Sequence, residues 1–210
     1  MAVSRQDVLR WVDALQQTFA ENRQLLTDLD SATGDGDFGD SMDRGFTAAQ
    51  AELRAHPPTD LRSAFQNMAT VLIRTMGGSA GPLYGTFFIR AGAACADKSE
   101  LAPVDVVALF QAGVEGLQQR GKAEPGDKTM LDALLPALDA MRRALEDGSG
   151  LVEILEQGAA AAEAGMRATI SMQARKGRAS YLGDRSIGHQ DAGATASYLL
   201  LKAAADVWRP

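Results

Sequence analysis

Aromatic side chains make up only 6% of the 210 residues, so the 46% hydrophobic content rests chiefly on small and aliphatic residues such as Ala and Leu. A chain with that bias leans towards helix rather than sheet. The single cysteine, Cys95, excludes an internal disulfide and any multi-cysteine zinc module, and its Ala-Gly-Ala-Ala-Cys-Ala setting reads as an apolar filler. Long apolar runs are also missing. Arg90 and Lys202 interrupt the two best candidates before they reach the roughly 18 residues of a membrane span. The opening Met-Ala-Val-Ser-Arg-Gln-Asp lacks a signal-peptide core, so a soluble cytoplasmic protein without a membrane partner is expected. Basic charge is short as well, with 21 Lys and Arg against 27 Asp and Glu. The net charge of -6 argues against a nucleic-acid partner.

The residues present describe helices. Ser4 and Asp7 carry a capping signal, after which Val8, Trp11, Val12, Leu15 and Phe19 recur at helical spacing. Similar periodicity covers 39–55, 59–75, 82–97, 103–121, 128–147, 150–174 and 192–208, which makes eight helices and no persuasive strand. Asp60, Pro82 and Asp127 mark helix starts. With no fixed repeat, low-complexity tract or long linker, the economical reading is one all-α domain spanning 1–210. Two connections, 29–38 and 175–191, are long, Gly-rich and charged. Structureless connections of that length in a small domain usually carry function.

Residues 28–43 place six carboxylates in sixteen positions, which repel one another unless a cation intervenes. Asp35 and Asp37 lie two apart and point the same way in an extended segment, while Gly34, Gly36 and Gly39 allow a bend that brings in Asp30. Three oxygen donors with space for water or phosphate suit Mg²⁺. An EF-hand fails because Phe46 stands where the twelfth-position Glu is required. A dinucleotide fingerprint fails because Gly34-Asp-Gly-Asp-Phe-Gly39 follows a helix and aims carboxylates at the pyrophosphate.

Gly77-Gly78-Ser79-Ala80-Gly81-Pro82 joins two helices and can present free N–H groups to an anion, or can serve as a close-packed corner. Gly116 to Lys122 mimics a phosphate loop, but Ala123 stands where Ser or Thr must meet the metal. The last loop clusters Arg175, Lys176, Arg178 and Arg185, with Arg178 best suited to a nucleotide phosphate. Asp191 is placed to cap the final helix or bond a ligand, and His189 to order the loop by a hydrogen bond rather than to carry a proton. No nucleophile and base pair is evident, so no catalytic residue is assigned beyond Arg178 as a phosphate stabiliser.

Together, Gly34-Asp-Gly-Asp37, Gly77-Gly78 with Gly81-Pro-Leu-Tyr-Gly-Thr86, the stretch Arg120 to Met130 and the stretch Ala174 to Asp191 resemble the nucleotide-binding L subunits of bacterial dihydroxyacetone kinases over essentially the whole chain. The resemblance implies an antiparallel eight-helix barrel holding Mg-ADP on the inter-helix loops at one end. It further implies a phosphoenolpyruvate-dependent enzyme in which a phosphohistidine on an M subunit transiently converts retained ADP to ATP, and the γ-phosphoryl group passes to dihydroxyacetone on a K subunit. Carried over by position, Asp30, Asp35 and Asp37 ligate Mg²⁺. Phe38, Gly39, Asp40, Ser41, Gly78, Ser79, Gly121, Met130, Arg178, Asp191, Ala192 and Gly193 line the nucleotide. The family commonly has His at the position of Phe38 and Asn at that of Ser41. These departures keep two other readings open: an ATP-dependent short-ketose kinase subunit with exchangeable ATP, and a non-catalytic ADP sensor for a regulatory protein.

Overall fold

Helix α1 (Arg5–Glu21) begins at Ser4, whose N–H donates to Asp7 Oδ2 at 2.7 Å while the Asp7 N–H donates to the Ser4 hydroxyl at 3.3 Å. This reciprocal cap satisfies two N–H groups that a helix start otherwise leaves orphaned. The computed structural model describes residues 2–209. Asp60 and Ser63 form the same device at the start of α4 (Leu61–Thr75), as Asp60 was expected to do. The remaining helices are α2 (Arg23–Thr33), α3 (Phe38–Ala55), α5 (Ala80–Ala94), α6 (Pro103–Gly121), α7 (Leu131–Glu146), α8 (Leu151–Ala168) and α9 (Ala192–Val207). Among the described residues, Val3–Ser4 paired antiparallel with Glu100–Leu101 is the only sheet.

Helices α1, α3, α4, α5, α6, α7, α8 and α9 each pack on the next, and α9 returns to α1, which closes a ring of eight. Helix α2 stands apart from that cycle, against α3 and α9. The scarce aromatics gather inside the ring. Trp11 meets Phe65, Phe88, Phe110 and Trp208 at centroid distances of 6.4, 5.9, 5.9 and 5.0 Å. Both indole N–H groups are satisfied, Trp11 donating to the Leu200 carbonyl at 3.2 Å and Trp208 to that of Asp7 at 3.0 Å. Buried indoles need such partners. They also tie the two ends of the chain together. No helix among the described residues is long and apolar enough to cross a membrane.

Among the described residues, eight of the nine α-helices coincide with the periodic segments, and α2 is the addition. The loop expected over 29–38 is therefore helical as far as Thr33, and the true link is Gly34 to Asp37. Asn22 explains the break before it. Its N–H and its Nδ2 both donate to the Thr18 carbonyl, at 3.0 and 2.8 Å, so the chain bends there without leaving helix for more than one residue. Two further boundaries move. Helix α7 starts at Leu131, and Asp127 does not cap it, because the Asp127 carboxylate accepts the Glu124 N–H at 2.8 Å to close a turn. It is Asp132 that receives the N–H groups of Gly126 and Thr129, at 2.6 and 2.7 Å. Helix α8 ends at Ala168, where the Thr169 hydroxyl donates to the Met166 carbonyl at 2.6 Å and a 3₁₀ turn, Thr169–Ser171, follows.

Alternate connections share a fate. Those between α2 and α3, α4 and α5, α6 and α7, and α8 and α9 all line one cavity, whereas 56–60, 95–102 and 147–150 contribute nothing to it. That alternation is what an up-and-down ring of antiparallel helices produces.

Candidate functional site

The acidic corner is built from three different backbone settings. Asp30 lies in the last turn of α2, Asp35 in the link, and Asp37 at the N-cap of α3. Each offers one carboxylate oxygen lying within 4.8 Å of those of the other two. The link is a bend rather than the extended segment expected from the spacing. Gly36 sits in the left-handed region at φ 75°, and Asp30 Oδ2 accepts the N–H groups of Gly36 at 2.9 Å and Phe38 at 3.3 Å. Asp30 thus wraps the loop around its own carboxylate, which keeps its remaining lone pairs for a cation. Three hard oxygens converging from one side, with the other side open to a cavity, fit Mg²⁺, which keeps several positions for water or phosphate.

Arg178 reaches across from the last long loop to pair with Asp35. Lys176, Arg178, Arg120 and Lys128 line the same cavity, while Arg175 and Arg185 do not. The basic cluster is therefore split, half lining the site and half outside it. On the neighbouring wall, Gly77, Gly78, Ser79 and Ala80 border the cavity at the start of α5, which has no side-chain cap. Uncapped N–H groups at a helix start attract anions. Ser41 is buried, and its hydroxyl accepts from Arg44 at 3.2 Å while the same guanidinium donates to the Thr75 carbonyl at 2.9 Å. Arg44 thereby fastens the first turn of α3 to the end of α4.

The cavity measures about 570 Å³. That is the size range of cofactor sites. Leu83, Leu117, Ala123, Met130 and Leu131 supply its apolar surface, with Gly121 beside them. Of the expected nucleotide contacts, Phe38, Ser41, Gly78, Ser79, Gly121, Met130, Arg178, Asp191, Ala192 and Gly193 line this space, together with all three aspartates. Gly39 and Asp40 do not. Gly39 is buried against α2, and Asp40 pairs with Arg23 at 2.7 Å, so its added negative charge is met by a cation of its own.

Asp191 caps α9 by accepting the Ala194 N–H at 2.7 Å. Burial pushes its carboxyl up to about 6, against the pull of that N–H and of the Lys128 charge. Burial in turn lowers Lys128, with Asp191 opposing. Lys128 is the residue that sequence reasoning missed: it is 1% exposed, among the most buried polar groups described, and stands within the Gly-Asp-Lys-Thr-Met run. His189 was expected to order the loop by a hydrogen bond. It is exposed instead, outside the cavity and without a side-chain bond among the described residues. Ser186 takes that task, receiving the Ala174 N–H at 2.9 Å and donating to the Gly183 carbonyl at 2.6 Å.

A closed helical ring, with loops at one end forming an acidic corner, an uncapped helix start and an apolar slot around one cavity, defines a class of helical barrels with a loop-built site at one end. The chain belongs to the DAK2 domain family, whose profile matches residues 32–206. It is 41% identical over 202 residues to the ADP-binding subunit DhaL of the PEP-dependent dihydroxyacetone kinase of Escherichia coli K12, covering 96% of each chain. It is 34% identical to the ADP-binding subunit DhaL of the PTS-dependent dihydroxyacetone kinase of Lactococcus lactis, covering 95% of each. Among solved structures, the dihydroxyacetone kinase from C. freundii in complex with AMP-PNP and Mg²⁺ superposes with a TM-score of 0.77 at 26% identity, over 98% of this chain. The chain spans 34% of that larger kinase.

Proposed function

We propose that this chain is the ADP-binding subunit of a phosphoenolpyruvate-dependent dihydroxyacetone kinase, working in the cytoplasm with a phosphohistidine-bearing M subunit and a substrate-bearing K subunit. In this reading its bound ADP receives a phosphoryl group, is transiently ATP, and delivers the group to dihydroxyacetone. The observation that carries the reading is the convergence of Asp30, Asp35 and Asp37 at a cavity whose other walls are the Gly77 to Ala80 turn and an apolar slot. Phosphoryl transfer needs positioning and charge neutralisation rather than a covalent partner, which suits a chain whose sequence shows no nucleophile and base pair. When bound, Mg²⁺ supplies charge neutralisation for the phosphates. Asp30, Asp35 and Asp37 hold it, and the uncapped N–H groups at the start of α5 bind phosphate oxygens. Met130, Leu83 and Leu117 take the adenine and exclude water from it. Arg178 stays within reach of the acidic corner and turns from Asp35 to the phosphates as they arrive.

The test is whether nucleotide stays. After extensive dialysis, denatured protein should release about one adenine nucleotide per chain, as tight retention requires. In the system reconstituted with partner subunits and triose, phosphoenolpyruvate components rather than free ATP should drive transfer. Turnover on ATP alone would favour the exchangeable-ATP kinase, and binding without any transfer would favour the sensor.

Phe38 gives a graded check. It lines the cavity partly buried, and only its backbone N–H, donating to Asp30, serves the acidic corner. Phe38→His adds a donor facing the ligand, and one neutral hydrogen bond should tighten Mg-ADP binding about threefold to tenfold by calorimetry. Unchanged affinity would place the phosphates away from this side chain.

A further inference from the structure

The loop from Met172 to Ser186 carries Arg178 at the start of a 3₁₀ segment, Arg178–Ser186, that is broken by a kink at Gly183. Its Lys176 to Arg178 segment is exposed, and Gly177 and Gly183 both take positive φ, at 65° and 55°. Beyond its contact with α2, the ion pair from Arg178 to Asp35 is the tip's one charged tie among the described residues. The two ends of the loop are tied twice: the Ser186 hydroxyl takes the Ala174 N–H, and a buried side chain reaches both ends from below. The Lys128 ammonium donates to the Met172 carbonyl at 3.1 Å and to the Ser186 carbonyl at 2.5 Å. Next to it, the Arg175 N–H donates to the Asp127 carbonyl at 3.0 Å.

We propose that Lys128 is a positioning residue of the nucleotide site: its buried ammonium clamps both ends of the loop and thereby sets where Arg178 stands over the acidic corner. Three features point that way. An ammonium is costly to bury, so a neutral donor would serve if only two carbonyls needed partners. The two acceptors are the loop's opposite ends, fourteen residues apart, rather than neighbours in one turn. Lys128 itself holds φ 61°, a conformation L side chains rarely adopt, which persists only where surroundings dictate it. Its position in the cavity wall, beside Thr129 and Met130, couples the clamp to the surface that takes the adenine.

The inference rests on the proposed role of Arg178, and a double-mutant cycle separates the two. In nucleotide-stripped protein, Lys128→Met should weaken Mg-ADP binding about tenfold while far-ultraviolet circular dichroism stays unchanged, the size expected for losing charged hydrogen bonds that order a loop. In an Arg178→Ala background the same substitution should weaken binding less than about twofold, because the two act as one unit. A full loss in both backgrounds overturns the positioning role, and so does wild-type affinity in Lys128→Met. If Arg178→Ala alone leaves affinity untouched, the reading of Arg178 fails and takes the inference with it. Should Lys128→Met lose its helical signal, Lys128→Gln, which keeps an N–H donor, is put through the same cycle. Without nucleotide, hydrogen exchange at the Ala174 amide, which bonds Ser186 across the two ends, should be faster in Lys128→Met than in the wild-type protein, and equal rates overturn the clamp.

Discussion

Asp35→Ala should lower Mg-dependent ADP affinity on the order of 100-fold or more, well beyond the loss from removing a supporting contact around a metal, without unfolding the protein. Two effects compete in this variant, and their separation is the diagnostic. The substitution removes one of three oxygens that lie within 4.8 Å of one another, which strips a cation of a ligand. It also releases Arg178 from its carboxylate partner, leaving a guanidinium free for a phosphate. Binding measured without Mg²⁺ should therefore hold or rise, while the gain on adding Mg²⁺ disappears. Stability should not suffer. Asp35 is exposed, and taking one charge from a group of neighbouring carboxylates relieves repulsion, so the change should stay within about 0.5 kcal/mol of wild type. Calorimetric titrations with and without Mg²⁺, beside a thermal melt, read all three quantities. A variant that keeps the wild-type Mg²⁺ gain would remove Asp35 from the metal site.

Local patterns carried most of the fold into view. Ser4 with Asp7, and Asp60 alone, announce helix starts because a cap is a short-range device whose partners sit three residues apart. Helix α2 was hidden for the opposite reason. Leu26 is its one fully buried residue, Leu25 is 47% exposed, and its C-terminal half is filled by Thr, Asp and Ser that also suit a loop. Its helicity follows from packing on α3 and from near-continuity with α1 through Asn22, neither of which leaves a periodic apolar stripe. The acidic corner was legible because carboxylates interleaved with glycine have few other uses. Its supports were not. Arg23 meets Asp40, Arg44 reaches the Thr75 carbonyl thirty-one residues on, and Lys128 reaches Met172 and Ser186, forty-four and fifty-eight residues on. Pairings at that separation leave no spacing to read. His189 misled because histidine suggests chemistry wherever it occurs, whereas the ordering of this loop falls to a serine and a lysine whose types suggest none.

Gly39→Ala is expected to damage both stability and ligand binding from a position that does not touch the cavity. A Cβ at residue 39 would lie 2.1 Å from the Arg23 carbonyl oxygen, 2.3 Å from Thr27 Oγ1 and 2.8 Å from the Thr27 nitrogen. Two of these are backbone atoms of α2, so no rotamer change removes the clash. The helices α2 and α3 must part, and they carry Asp30 and Asp37 respectively. Overpacking of this kind costs about 1–3 kcal/mol, which for a chain of this size lowers Tm by roughly 2–12 °C. The same displacement spreads the carboxylates, and a metal as exacting as Mg²⁺ should lose about tenfold or more in supporting ADP binding. Gly150→Ala is the matched control. Nothing lies within 4 Å of its added Cβ and its φ is -71°, so it should bind as wild type does, and it should lose no more than about 1 kcal/mol, the cost of alanine at the N-cap of α8. If Gly39→Ala matched that control in affinity while melting lower, the separation of the two helices would not govern the acidic corner. Tm and Mg²⁺ gain falling together, with the Mg²⁺ gain of Gly150→Ala unmoved, would mean that the close approach of α2 to α3 sets the spacing of the aspartates.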